Sequence, residues 1–250
     1  MKRILFFTII VLGSFNVFGQ NSSFNTKPWN NNIYPIIIDP YHGNIIDFDK
    51  LSTDKRVMGI IHKASEGLNA DSKYLTRSKI AKTKNLLFAS YHLGNNSDPI
   101  KQADFYLTII KNNLNQPMAI DIEDYELDLK NPKKPYIPLT NAIKFINRIF
   151  EKTNKYPILY INNKVFTQIN LKYNKNSVFA KCPLWYARFV TSLPNLSNKV
   201  WDKVSLWQFS SEINCTKTGN CWYNIPGTAF DIDINAFNGN KEELNQFWNR

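Results

Sequence analysis

The sequence is poor in several features that mark large functional classes. Only three of its 250 residues are cysteine and three are histidine. His42, His62 and His92 show no paired spacing such as i, i+4 on a helix, which argues against a metal centre. The chain is basic, with a formal charge of +11, yet it has no Lys/Arg cluster of the kind that contacts nucleic acid. Lys133-Lys134 is a short loop pair, and the other lysines are scattered among asparagines. That pattern reads as a solvated basic surface, compatible with anionic membranes or anionic wall polymers. No internal repeat and no linker divides the chain. The apolar run at residues 4–12 is too short for a membrane span.

What is present supports a folded, exported domain. An apolar content of 43% and an aromatic content of 14% allow a substantial core. Residues 1–19 read as a signal peptide: Lys2 and Arg3 precede the apolar run, and Val17-Phe18-Gly19 ends in a small residue before Gln20. Residues 20–32 are polar and Asn-rich and read as a loose lead-in. Residues 33–250 read as one domain. Export directs Cys215 and Cys221 into a disulfide closing a small loop, with Cys182 left over and buried.

Short apolar runs recur at 34–39, 57–63, 86–92, 117–123, 157–162, 184–187, 204–208 and 230–234. Helical patterns lie between several of them: at 71–85, from Asp98-Pro99, and from a Thr140 cap. Residues 189–202 and 210–228 carry Pro, Asn, Ser and Gly instead. Eight strands with intervening helices predict a parallel, TIM-like β/α barrel that lacks some helices in its second half. The runs end at Asp39, His62-Lys63, Tyr91-His92, Asp121 and Glu123, Tyr160, Trp185-Tyr186, Trp207-Gln208, and Asp231/Asp233. A β/α barrel gathers such strand ends at one mouth.

Asp121 and Glu123 alternate with Ile120 and Ile122, so both acids share one face of a strand. Like charges on a buried face repel, and burial disfavours both, so one is expected to hold a proton. Such a pair of carboxyls suits glycosidic bond cleavage. Aromatic rings and amides around the acids suit a sugar polymer, whose apolar faces stack on rings.

Seven segments in order then resemble the glycoside hydrolase family 25 lysozymes. They are Ile38-Asp39 with His42-Gly43 and Ile46-Asp47-Phe48; Lys63-Ala64-Ser65-Glu66-Gly67; Ala89-Ser90-Tyr91-His92; Asp121-Ile122-Glu123; Trp185-Tyr186-Ala187; Trp207-Gln208-Phe209-Ser210; and Asp231-Ile232-Asp233-Ile234-Asn235. The resemblance covers about residues 34–239. It implies hydrolysis of the β-1,4 bond between N-acetylmuramic acid and N-acetylglucosamine in peptidoglycan, without a cofactor. It also implies Glu123 as general acid, Asp121 assisting, and Asp39 and Asp233 lining the same cleft. Lys63 and Glu66 would form a rim, with Tyr91, Tyr160, Trp185 and Gln208 facing substrate. His92 is either a cleft hydrogen-bonding residue or a satisfied structural one, and Trp185 and Trp207 are core fillers as readily as sugar platforms.

The chain departs from the family at Pro40-Tyr41, where a serine is usual two residues after the first acid, and the loop from Asp39 to Asp47 is a residue short. Residues 124–138 read as a charged rim loop. The expected protein is a secreted or periplasmic monomer acting on peptidoglycan, with no nucleic-acid partner and no stable membrane insertion. The alternatives are a hydrolase of another N-acetylated polysaccharide such as chitin, or a non-catalytic wall-binding module.

Overall fold

The computed structural model describes residues 24–123, 136–194 and 198–250. The expected signal peptide at 1–19 and most of the expected rim loop at 124–138 lie outside those residues. The strands, in chain order, are β1 (Ile36–Ile38), β2 (Val57–Glu66), β3 (Asn69–Ala70), β4 (Leu87–Leu93), β5 (Met118–Ile122), β6 (Ile158–Asn162), β7 (Leu184–Ala187), β8 (Val204–Ser210) and β9 (Ile234–Phe237). Pairing runs β1-β9-β8-β7-β6-β5-β4-β2, and a further β1–β2 pairing closes the ring. β3 is a short hairpin partner at the outer end of β2.

The closed barrel confirms the expected class but corrects one feature. Seven strands of the ring are parallel, whereas β9 is antiparallel to both β8 and β1. The barrel is therefore mixed, and β9 begins at Ile234, where the expected eighth strand ended. A reversed strand starts where its parallel neighbours finish. Asp231 and Asp233 thus reach the barrel mouth by preceding a strand.

Helices cover the outside of the first half: α1 (Phe48–Leu51), α2 (Tyr74–Thr83), α3 (Pro99–Ile110), α4 (Leu139–Thr153), α5 (Asn163–Lys172) and α6 (Val178–Lys181). Asp98 caps α3, accepting hydrogen bonds from the Ile100 and Lys101 amides, with Pro99 in the first turn. α4 starts two residues earlier than expected, and Pro138, not Thr140, occupies its cap position. Among the described residues no helix joins β7 to β8 or β8 to β9.

The outer face of β8 is covered by the segment expected to be a loose lead-in. Phe24 and Trp29 are buried there. Trp29 stacks on Phe209 at 4.6 Å and on Trp222 at 4.8 Å, and Phe24 meets the Trp207 ring edge-on at 6.1 Å. The Arg56 guanidinium fastens this segment through the Pro28, Trp29, Asn31 and Tyr34 carbonyls. Trp207 is accordingly a core residue, not a sugar platform.

Strand alternation divides the buried side chains into two layers. One packs between barrel and helices. The other fills the barrel with Ile37, Ile61, Ala89, Ala119, Ile158, Tyr160, Trp185, Leu206 and Phe237. The small Ala89 and Ala119 leave room for the large Tyr160 and Trp185. The end where the parallel strands begin is plugged by α7 (Lys241–Trp248), which inserts Leu244 and Trp248. Trp248 lies so close to Gly59 that a Cβ there would meet its ring at 3.2 Å. The Trp248 indole N–H donates to the Phe88 carbonyl at 3.3 Å.

Candidate active site

Two residues beyond each apolar inner position, the barrel interior turns polar. Ile37 leads to Asp39, Ala119 to Asp121, and Leu206 to Gln208, while Phe237 follows Asn235 and Asp233 on the reversed strand. The same alternation that fills the core thus aims acids into the mouth. Asp39 and Asp121 are buried, and Glu123 is half-buried just after β5.

Asp39 sits in a bonded frame. Its carboxylate accepts from Gln208 Nε2 at 2.9 Å and from Asn235 Nδ2 at 2.5 Å. Asn235 Oδ1 in turn accepts from the Trp185 indole at 2.6 Å, and Gln208 Oε1 accepts from the Tyr160 hydroxyl at 2.9 Å. The Asp39 amide donates to the Asp233 carbonyl at 3.2 Å, joining β1 to the residue before β9. Trp185 meets Tyr160 edge-on at 4.9 Å and Tyr91 at 6.3 Å.

The acids form one electrostatic unit. Burial raises the Asp39 pKa well above the usual carboxylate range, against the opposing bonds from Asn235 and Gln208, with Glu123 and Glu212 adding repulsion. Burial raises Asp121 likewise, with Glu123, Asp39 and Asp233 adding to it and Lys63 opposing. Asp233 is raised by burial and then by Asp39, Glu212, Glu123 and Asp231. Tyr91 and Tyr160 are raised by burial and by the same four acids, Asp39, Asp121, Glu123 and Asp233, which puts both phenols beside the cluster. Buried Asp121 Oδ1 has no hydrogen-bond partner among the described residues.

Lys63 and Glu66 sit on the β2 arm at the rim as an ion pair of 3.0 Å, and Lys63 Nζ also lies 5.1 Å from the Tyr41 ring centroid. The loop after β1 is stapled from behind. Buried Arg77 of α2 donates to the Tyr41 and Asn44 carbonyls at 2.8 and 2.6 Å and to His62 Nε2 at 3.1 Å. His62 Nδ1 donates to the Lys63 carbonyl at 2.7 Å, which assigns its proton. Asn44 Nδ2 reaches across to the Asp231 carbonyl at 2.9 Å. The short Pro40-Tyr41 loop therefore has its own anchors and holds Asp39 in place.

Several expected substrate contacts take other roles. His92 points away from the mouth, is fully buried, and stacks on Phe145 at 4.9 Å. Its ring nitrogens are taken by Ser65 Oγ at 2.9 Å and Gln102 Oε1 at 3.1 Å, and burial lowers its pKa to about 4. It is the satisfied structural histidine. Trp185 is 1% exposed and Gln208 2%, so neither presents a surface to a sugar. They position Asn235 and Asp39 instead, and the Tyr160 hydroxyl is committed to Gln208. Tyr91, half-exposed, remains a wall of the cluster. Cys215 and Cys221 form the expected disulfide, and Cys182 is buried and free. No helix among the described residues is long and apolar enough to cross a membrane.

The residue types alone did not single out Asn235 or Glu212. Asn235 was signalled by parity, lying two residues from Asp233 on one strand face. Glu212 lies in the β8–β9 connection, and no periodicity marks it.

A closed β/α barrel whose mouth gathers four acids on a frame of amides and aromatic rings has the architecture of barrel glycosidases. The family is specific: the model for "Glycosyl hydrolases family 25" matches residues 38–218, and the chain belongs to that family. Among curated proteins the chain is similar to YegX of Escherichia coli O157:H7, 25% identical over 189 residues, covering 74% of this chain and 61% of that one. It is also similar to the autolytic lysozyme of Clostridium acetobutylicum, 30% identical over 167 residues, covering 64% of this chain and 46% of the relative. The chain thus spans about three fifths of the E. coli relative's length and less than half of the clostridial one's. Its fold matches the bacterial lysozyme from Streptomyces coelicolor with a TM-score of 0.66 at 20% identity, over 84% of this chain and 94% of that one.

Proposed function

We propose that this chain is an exported N-acetylmuramidase that hydrolyses the β-1,4 bond between N-acetylmuramic acid and N-acetylglucosamine in peptidoglycan. The observation that carries this reading is the convergence of Asp39, Asp121, Glu123 and Asp233 on one another and on Tyr91 and Tyr160. Family membership and the autolytic lysozyme relative supply the substrate class. Export rests on Lys2, Arg3 and the apolar run after them, and the Cys215–Cys221 bridge suits an oxidising compartment.

Glu123 stands where β5 opens into the mouth and is the proton donor to the leaving sugar oxygen. Asp121 lies two residues deeper on the same face, with a Cβ about 6–7 Å away by strand geometry. When ionised it stabilises the positive charge that develops at the anomeric carbon or on the 2-acetamido group. Asp39 and Asp233 add negative potential, which favours a proton remaining in the cluster until it is delivered. Gln208 and Asn235 fix Asp39 without a cation, so that potential is not cancelled.

The test is turbidity loss of purified peptidoglycan, with mass analysis of the products and a Glu123→Gln control. Muramic-acid reducing ends made by the parent chain and absent with the variant are the expected result. Equal behaviour of the two chains overturns the catalytic reading, and chito-oligosaccharide products in place of muropeptides overturn the substrate.

A further inference from the structure

At the end of the barrel opposite the acid cluster, one pocket has only cations among its charged lining residues. A cavity of about 250 Å³ opens beside the starts of β5, β6 and β7, at Met118, Ile158 and Pro183. Lys155, Lys181 and Arg250 line it, and no acidic side chain does. Lys181 Nζ lies 5.4 Å from the Tyr156 ring centroid, Arg250 stacks on Phe247 at 3.7 Å, and Lys155 Nζ donates to the Asn115 carbonyl at 3.2 Å. None of the three forms an ion pair among the described residues.

A second cavity of about 270 Å³ lies beside the starts of β2 and β4, with Lys55, Lys84 and Lys241 in its lining. Asp54 also lines it and is bonded to the Tyr223 hydroxyl, while Lys84 pairs with Asp49. α7, whose first turn carries Glu242 and Glu243, plugs the barrel at this same end. One cationic pocket and a second that keeps Lys55 and Lys241 outside any ion pair among the described residues suit a chain of anions better than one small ion.

We propose that the closed end of the barrel is a docking surface for a polyanionic polymer carrying phosphate groups at close intervals. The pocket of Lys155, Lys181 and Arg250 is its principal seat. Lys55, Lys84 and Lys241 supply a second contact. Bound there, the polymer leaves the acid-lined mouth at the other end open to a different chain. The inference goes beyond the proposed hydrolysis and holds whether or not the mouth cuts peptidoglycan.

The experiment measures binding of the full chain to fluorescent inorganic polyphosphate, with neutral dextran as the reference, in both the parent and the Glu123→Gln chain. Using both keeps the outcome separate from catalysis. The triple variant Lys155→Gln/Lys181→Gln/Arg250→Gln should bind about 10-fold or more weakly. A control triple that removes the same charge near the mouth-side helix starts, Lys73→Gln/Lys101→Gln/Lys144→Gln, should lose less than about 3-fold. As a second readout, bound polyphosphate should shield Lys155 and Lys181 from acetylation and leave Lys73 and Lys101 reactive. Equal losses in the two triples, or uniform shielding, overturn the proposal. So does displacement by inorganic phosphate at equal phosphate concentration, which reduces the seat to a single-ion pocket. Preference for phosphatidylglycerol vesicles over polyphosphate overturns it in favour of a membrane.

Discussion

The two ends of the barrel use one strand alternation for opposite purposes. At the closed end the inward positions are apolar and meet Leu244 and Trp248 of α7. At the mouth the next inward positions are Asp39 and Asp121, both buried, and half-buried Asp233, and desolvation raises the pKa of all three. The closed end gains free energy from burial, and the mouth loses some to desolvated like charges. The chemistry proposed for the mouth would thus draw on a part of the fold where burial works against stability.

Four measurements break or sharpen this contrast. Glu123→Gln should lower kcat by about 10³-fold while leaving the melting temperature unchanged or higher. A parallel fall in stability would mean that the mouth is structural after all. Trp248→Ala should cost about 3–5 kcal/mol in denaturant unfolding, with kcat per folded molecule retained. A loss of kcat at constant stability would couple the two ends.

The layer outside the barrel supplies a third reference point. His92 has a folded pKa of about 4 against an unfolded value of 6.5. Its contribution is fully present above pH 6.5 and is lost as pH falls towards 4. His92→Gln should remove about one proton from the uptake on unfolding near pH 5, measured by calorimetry in buffers of different ionisation enthalpy. No change would show that His92 is already charged when folded.

The smallest effect concerns a raised carboxyl, for which the sign reverses. The stabilisation associated with protonated Asp121 is present below its unfolded value near 3.8 and is lost as pH rises through its folded value. Asp121→Asn should therefore raise stability by about 1–2 kcal/mol at pH 7, and the gain should vanish below pH 3.8. A destabilised variant at pH 7 would mean that the carboxylate is held by attraction, not strained by repulsion.

Much of this site was legible because period-two alternation is a local property. Asp39, Asp121 and Glu123 could be placed on inward faces from their neighbours alone. The same parity puts His92 outside once Tyr91 is inside, so its structural role was written beside the motif that suggested otherwise. Depth was not legible: Trp185 and Gln208 have the residue types of a sugar site, but they lie beneath it. Strand direction was not legible either, since Asp233 borders an apolar run whichever way that run points. The lead-in misled through its asparagines, which outnumber the Phe24 and Trp29 that anchor it.

That last segment sets an order of events during synthesis. Phe24 and Trp29 are made well before Trp207, Phe209 and Trp222, on which they are seated. β1 likewise waits for β9 before the ring can close. A nascent chain that has not yet reached β8 and β9 has neither a finished barrel nor a seat for Phe24 and Trp29, and it exposes apolar surface meanwhile. Closure of the ring must therefore await synthesis of β8 and β9, so the first segment of the barrel to be made is among the last to be seated.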